Sequence, residues 1–326
     1  MSTLSVAGRK SLVLLSGGAY PELADEIASY IGVTLTPTTR REFANGELFI
    51  RPNESVRGTD AFVIQAYTTP INQWVMESLI LVDALKRASA KRITVVAPFY
   101  PYARQDKKHR GREPISARLV ADMFKTAGAD RLMAVDLHQA QIQGFFDGPV
   151  DHLMAQPILS DYVQERYGDQ QLTVVSPDAG RIKVAEEWSR RLGGAPLAFI
   201  HKTRDISRPN EVTANRVVGQ VKDRICILVD DMIDTAGTIT KAADAIMAEG
   251  AAGVVIVATH AILSGPAVDR LKNCMAVEVI VTNTLPISPD REFDKLTCLS
   301  IAPLVSRAIR EVFEDGSVTS MSDGHA

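Results

Sequence analysis

Asp230 and Asp231 stand side by side where the apolar run Ile225 to Val229 ends, and the segment ILVDDMIDTAGT continues through Asp234, Thr235, Gly237 and Thr238. The run has the composition of a buried strand, which places both acids at its C-terminal edge, where open parallel sheets bind ligands. The next residues, DTAGT, read as a turn entering a helix, whose free N–H groups and positive dipole end attract an anion. Gly237 permits close backbone approach, and the Thr235 and Thr238 hydroxyls add donors. Such a turn is a phosphate cradle. Carboxylates beside it would repel the phosphate unless they had another task, and the vicinal hydroxyls of a sugar are good donors for them. A pentose phosphorylated at the end remote from its reactive carbon satisfies both halves. Helix capping by Asp230 or Asp234 is the structural alternative. It accounts for one acid, and poorly for three acids, two threonines and a glycine together.

Five other segments stand out. PFYPYARQDKKHRGREPIS holds six basic side chains, Arg104, Lys107, Lys108, His109, Arg110 and Arg112, directly after the buried run RITVVAP. A solvated basic loop is the plain reading, but loops at strand ends commonly carry binding groups. AVDLHQAQIQGFF puts His138 two residues beyond Asp136 at a strand end, and VVSPDAGRIKV puts Asp178 just past another strand. FIHKTRDISRPNEVTANR, with Lys202 and Arg204 among polar residues, reads as a loop. The Thr259-His260 pair in VVIVATHAILSGPAVDRL is a strand-helix connection to which no role is assigned.

The elements that must position these groups follow from periodicity. Short β-branched runs alternate with longer amphipathic patterns: SLVLLSG before PELADEIASYIG, AFVIQA before NQWVMESLILVDALKRA, then RITVVAP, RLMAVDL, LTVVSP, ICILVDD and GVVIVATHAIL. This pattern predicts an α/β protein whose mainly parallel sheets are flanked by helices. With 326 residues there is material for two domains. ITVVAPFYPYARQD and LTVVSPDAGRIKV echo each other, so the two are expected to be similar and to meet near Gly148 to Pro157. The expected spans are residues 10–155, 156–312 and a polar tail, 313–326. Asn45-Gly46 in REFANGELF marks a hairpin or turn that leaves this core.

A net charge of -3 gives no electrostatic case for nucleic acid or an anionic membrane. No apolar run reaches the roughly eighteen residues of a spanning helix, and the start lacks a signal-peptide core, so a cytoplasmic protein is expected. Cys226, Cys274 and Cys298 have no metal-ligand spacing and read as reduced core residues.

ILVDDMIDTAGT resembles the ribose 5-phosphate loop of the phosphoribosyltransferase-like superfamily, and the chain from about Ser11 to about Ser306 resembles class I ribose-phosphate pyrophosphokinases. The resemblance implies two phosphoribosyltransferase-like domains and transfer of diphosphate from Mg-ATP to ribose 5-phosphate, giving 5-phosphoribosyl 1-diphosphate (PRPP) and AMP. Ribose 5-phosphate would lie on Asp230, Asp231, Asp234, Thr235, Ala236, Gly237 and Thr238. ATP would contact Arg104, Gln105, Asp106 and Lys107, with adenine held by Phe43, Asn45 and Glu47 from a neighbouring subunit. His138 and Asp178 would be the Mg2+-linked positions, and Lys202 and Arg204 the catalytic cations. The same resemblance implies a homo-oligomer, commonly a hexamer, with phosphate and ADP as effectors. The chain departs from many relatives at Arg181 and Ile182, where a Gly and an Ala are usual, and its Lys-x-Arg loop is slightly longer than in some. A phosphoribosyltransferase and a non-catalytic regulatory relative are the alternatives. The two-domain length opposes the first, and the intact Lys202, Arg204 and sugar-binding acids oppose the second.

Overall fold

A computed structural model describes residues 10–203 and 214–318. The chain divides into two compact units, Met1–Leu153 with Ala302–Ala326, and Met154–Ile301.

The first unit runs β1 (Leu12–Ser16), α1 (Pro21–Ile31), β2 (Thr38–Glu42), β3 (Leu48–Pro52), β4 (Asp60–Ile64), α2 (Ile71–Arg87), β5 (Arg92–Ala97), α3 (Ser116–Ala127), β6 (Arg131–Val135) and β7 (Val150–Leu153). Five of these strands pair in parallel in the order β1-β4-β5-β6-β7. A parallel bridge between Leu14 and Leu35 adds to the outer side of β1. All five residues of β4 are buried, as expected for a strand covered on both faces. Local signals delimit α1: Pro21 occupies its first turn, and Gly32, at φ 84°, donates its N–H to the carbonyls of Ala28 and Ser29. β2 and β3 form the separate antiparallel hairpin that Asn45-Gly46 predicts, with Gly46 at φ 87°. β7 lies inside the expected junction at Gly148 to Pro157, so that stretch is partly strand and no simple linker.

The second unit contains α4 (Gln156–Tyr167), β8 (Leu172–Ser176), α5 (Ile182–Arg191), β9 (Leu197–Thr203), β10 (Ala214–Gly219), β11 (Ile225–Ile233), α6 (Gly237–Ala248), β12 (Gly253–Ala261), α7 (Ala267–Asn273), β13 (Glu278–Thr282) and β14 (Leu296–Leu299). Its sheet has the order β10-β9-β8-β11-β12-β13-β14, parallel except for the edge pair β10/β9. The chain leaves β8 for β9 on one side and returns to β11 on the other. Connections beyond the C-terminal ends of β8 and β11 therefore diverge, and the crevice they leave is where open α/β sheets hold ligands. One core cluster joins Leu228 of β11 and Ile256 of β12 to Ala242, Ala243 and Ile246 of α6. Full burial of each of the larger side chains, Leu228, Ile256 and Ile246, contributes about 1.5–3 kcal/mol.

Three expectations need correction. The last helix, α8 (Ala302–Phe313), packs on α1 and β7, so it belongs to the first unit although residues 156–312 were expected to form the second. Its apolar stripe, Ala302, Val305, Ile309 and Val312, is legible at helical spacing, but a stripe does not name the surface that buries it. Asp315, at the start of the polar tail, is held by Lys10 and by Arg92 Nη1 at 3.1 Å. Cys298 is exposed on the edge strand β14, whereas Cys226 and Cys274 are buried. Lys202 lies in strand β9, its backbone paired with Asn215 of β10, and not in a loop. Arg204 lies outside the described residues. No helix among the described residues is long and apolar enough to cross a membrane.

Candidate functional site

The two acids sit in the switch-point crevice of the second sheet, though not at a strand end. β11 continues past them to Ile233 and stays paired with β12 as far as Ala261. Its pairing with β8 stops at Leu228 and Val175. Asp230 and Asp231 thus lie beyond the ladder on one flank only, and the β8 connection enters there. That connection carries Asp178, whose Oδ1 accepts from Gly180 N at 2.8 Å and opens a short 3-10 turn, Ala179–Arg181. The turn delivers Arg181 to the acids: Nε lies 3.1 Å from Asp230 Oδ1, and Nη2 lies 2.8 Å from Asp231 Oδ1. Burial, followed by the charge of Asp231, pushes Asp230 up to about 7, against the pull of Arg181.

Beyond β11 the chain turns through Asp234, Thr235 and Ala236 into α6. Ala236 is the N-cap, at φ 60° and ψ 3°, and its methyl side chain cannot accept from the first-turn amides. Capping by Asp230 or Asp234 from the N-cap position is therefore ruled out. The amides of a helix start carry partial positive charge, and the exposed Thr235 and Thr238 flank this one, a set suited to an anion. Arg270 of α7 donates from Nη1 to the Thr235 carbonyl at 2.9 Å. A Cβ on Gly237 would meet that same nitrogen at 2.9 Å, which gives Gly237 a physical reason: close approach of the guanidinium. Ser264 N donates to the Asp234 carbonyl at 2.9 Å and ties the turn to the segment after β12.

The left-handed backbone at Ala236 carries a prediction. An L-residue there is strained by about 1 kcal/mol or more, similar to what glycine loses in unfolded-chain entropy. Ala236→Gly is expected to leave the melting temperature unchanged or slightly raised, whereas Ala245→Gly inside α6 costs about 1 kcal/mol. Thermal denaturation of the two variants checks this, and a large loss in Ala236→Gly would show that the strain reading is mistaken.

In the first unit the corresponding crevice, between β1 and β4, is filled from within. Glu77 Oε1 accepts from Gly18 N at 2.6 Å and from Gln65 Nε2 at 3.1 Å, and Gln65 Oε1 accepts from Ala19 N at 3.2 Å. A Cβ on Gly17 would stand 2.1 Å from the Gln65 side chain. The exposed groups of this unit gather instead after β5 and β6. Arg104, Gln105 and Lys107 are exposed on the loop after β5, while Asp106 is turned inward and accepts from Gln141 Nε2 at 2.9 Å. Gln105 Oε1 accepts from Ser116 Oγ at 2.6 Å. His138 lies half-buried just past β6, near Asp136 at φ 40°. Phe43, Asn45 and Glu47 share the tip of the β2/β3 hairpin. There Asn45 Oδ1 accepts from Glu47 N at 3.2 Å, and Phe43 is 51% exposed beside a hollow of about 570 Å³.

His138 and Asp178 fall in different units, and among the described residues no group of three or more His, Cys, Asp or Glu is placed to hold a metal ion. Sequence reasoning flagged Arg181 as a departure without assigning it a role, and missed Arg270 altogether. Arg270 lies 35 residues from its carbonyl partner, so no local spacing announces it.

Comparison with known proteins agrees with this arrangement. The family model for the N-terminal domain of ribose phosphate pyrophosphokinase matches residues 12–128, and that for the phosphoribosyl synthetase-associated domain matches residues 173–322. A ribose-phosphate pyrophosphokinase of Streptomyces coelicolor is 62% identical over 99% of both chains. One of Mycobacterium tuberculosis is 61% identical over 98% of both. The crystal structure of phosphoribosylpyrophosphate synthetase from Mycobacterium smegmatis superposes with a TM-score of 0.90 at 62% identity, covering 94% of this chain and all of that one. With two domain models and full-length relatives in agreement, the chain belongs to the ribose-phosphate pyrophosphokinase family.

Proposed function

We propose that this protein transfers the β,γ-diphosphate of ATP to the anomeric hydroxyl of ribose 5-phosphate, forming PRPP and releasing AMP. The observation that carries the reading is the juxtaposition, at one switch point, of a carboxylate pair with a helix start that its N-cap side chain leaves uncapped. The carboxylates accept hydrogen bonds from the ribose diol. The amides of the Asp234–Thr238 turn, with the Thr235 and Thr238 hydroxyls, hold the 5-phosphate.

In the transfer, the anomeric oxygen forms a bond to the β-phosphorus while the bond from that phosphorus to the α,β-bridging oxygen breaks, leaving AMP. Such a reaction asks for positioning and charge stabilisation more than covalent catalysis. Lys202 and Arg204 supply positive charge to the phosphoryl oxygens. Arg104, Gln105 and Lys107 bind the nucleotide, and Asp106, facing Gln141, holds their loop in place. Phe43, with its open face, stacks on adenine bound by a second subunit, while Asn45 and Glu47 read the base edge. This requires a homo-oligomer, and a hexamer with phosphate and ADP as effectors is the form we propose.

Mg2+ prefers oxygen donors and keeps waters while bridging substrate phosphates, so a sparse protein ligand set suits it. The Asp178 carboxylate is an oxygen donor of this kind, and the His138 imidazole would be a separate contact to the nucleotide complex. Bound with ATP, the ion neutralises triphosphate charge. The test is to mix purified protein, Mg-ATP and ribose 5-phosphate and follow the mixture by phosphorus NMR. AMP and PRPP should appear in equal amounts. Absence of both, with ATP intact, would overturn the reading.

A further inference from the structure

Arg181 makes contacts that a ribose diol does not explain. Its guanidinium bridges two adjacent carboxylates, at 3.1 Å to Asp230 and 2.8 Å to Asp231, with its own side chain only 18% exposed. Asp231 is sealed further, at 8%. Two neighbouring carboxylates that are largely withdrawn from water cannot both stay ionised unaided, because each charge disfavours the other and burial disfavours both. The planar guanidinium engages two oxygens on two residues at once, a geometry that an ammonium cannot match. We propose that Arg181 is a positioning residue for sugar binding: it draws Asp230 and Asp231 toward their charged forms and holds them as acceptors aimed at the diol.

The inference rests on the sugar-binding reading of those acids. Both contacts go to Oδ1 atoms, and Asp231 N also donates to Asp230 Oδ1 at 2.9 Å, so one edge of the Asp230 carboxylate is engaged by the protein itself. The charged groups that face Asp230 are Asp231 on the same strand and Arg181 from the turn after β8. On the other flank β12 presents the uncharged Ala258 opposite it.

The consequence for stability has a definite sign. The folded-state value of Asp230, about 7, lies above its ordinary 3.8, so the folded protein binds more protons there than the unfolded chain. Its contribution to stability is complete below its ordinary value and is lost as pH rises toward the folded value. Removing Arg181 pushes the folded value higher still and carries the loss on above neutrality.

The experiment compares wild type with Arg181→Met and Arg181→Lys in two ways. The first is titration calorimetry with ribose 5-phosphate at pH 6, 7, 8 and 9. Arg181→Met should bind about tenfold or more weakly at pH 7 and approach wild type at pH 9, where the carboxylates ionise without help, with Arg181→Lys in between. The second is thermal denaturation of the ligand-free proteins. Here the deficit of Arg181→Met should widen between pH 6 and pH 9 by about 3 °C or more. Binding that recovers while stability declines is not a pattern that a merely structural residue produces. Tighter binding by Arg181→Met would mean that Arg181 is a plug which the sugar must displace, and would overturn the proposal. So would unchanged binding, or a loss equal at every pH. If Arg181→Met does not fold, the same trends at smaller amplitude in Arg181→Lys decide the matter. If wild type itself ignores the sugar but the stability trend holds, the functional reading fails while the charge-holding role of Arg181 stands. If wild type binds and neither trend appears, the role assigned to Arg181 fails alone.

Discussion

Asp231→Asn is expected to lower kcat/KM for ribose 5-phosphate by about a hundredfold, with the larger share in KM. Asparagine keeps the shape of the side chain and removes its charge. A hydrogen bond to a charged acceptor contributes about 1.5–3 kcal/mol, and removing the charge also leaves the guanidinium of Arg181 facing a neutral amide where it had a carboxylate at 2.8 Å. Both costs fall on sugar binding. Asp230→Asn should be milder, because burial and the neighbouring charge already push Asp230 toward its neutral form. Steady-state kinetics with the sugar phosphate as varied substrate separate the two variants. A change below threefold in Asp231→Asn, or a greater loss in Asp230→Asn, would remove this division of labour.

The second large effect is expected at the strand that leads into residues 204–213. Lys202→Ala should lower kcat by about a hundredfold or more while KM for ribose 5-phosphate changes by less than about threefold. Lys202 lies in β9, one residue before the strand ends, and its backbone pairs with Asn215. Alanine preserves that pairing, so the variant tests charge and not folding. A cation that meets the phosphoryl oxygens only as charge develops on them contributes to kcat and little to ground-state affinity. An intact kcat would take Lys202 out of the reaction, and a loss confined to KM would make it an ordinary binding residue.

Much of this protein was legible as sequence because its signals are local. The buried runs that became β1, β4, β5, β6, β8, β11 and β12 follow from unbroken apolar composition between turn residues. The hairpin follows from Asn45-Gly46, and α1 from Pro21 and Gly32. The candidate site at Asp230 to Thr238 was legible for the same reason: its acids, threonines and glycine lie within nine residues of one another. The adjoining motifs then pointed to the family to which the chain belongs.

What only the tertiary structure decided involves partners distant in the chain. Strand composition does not say where a ladder stops, so the extension of β11 to Ile233, and its release from β8 after Leu228, were not readable from Ile225 to Val229. The apolar stripe of α8 is plain in the sequence, but its docking on α1 depends on which surface remained uncovered. Arg181 and Arg270 are ordinary cations by spacing, and their meaning comes from guanidinium groups brought to acids 49 and 50 residues away and to a carbonyl 35 residues away. Sequence periodicity records which face of an element avoids water. Which charges then meet in the crevice is set by sheet order, and the chain alone does not state that order.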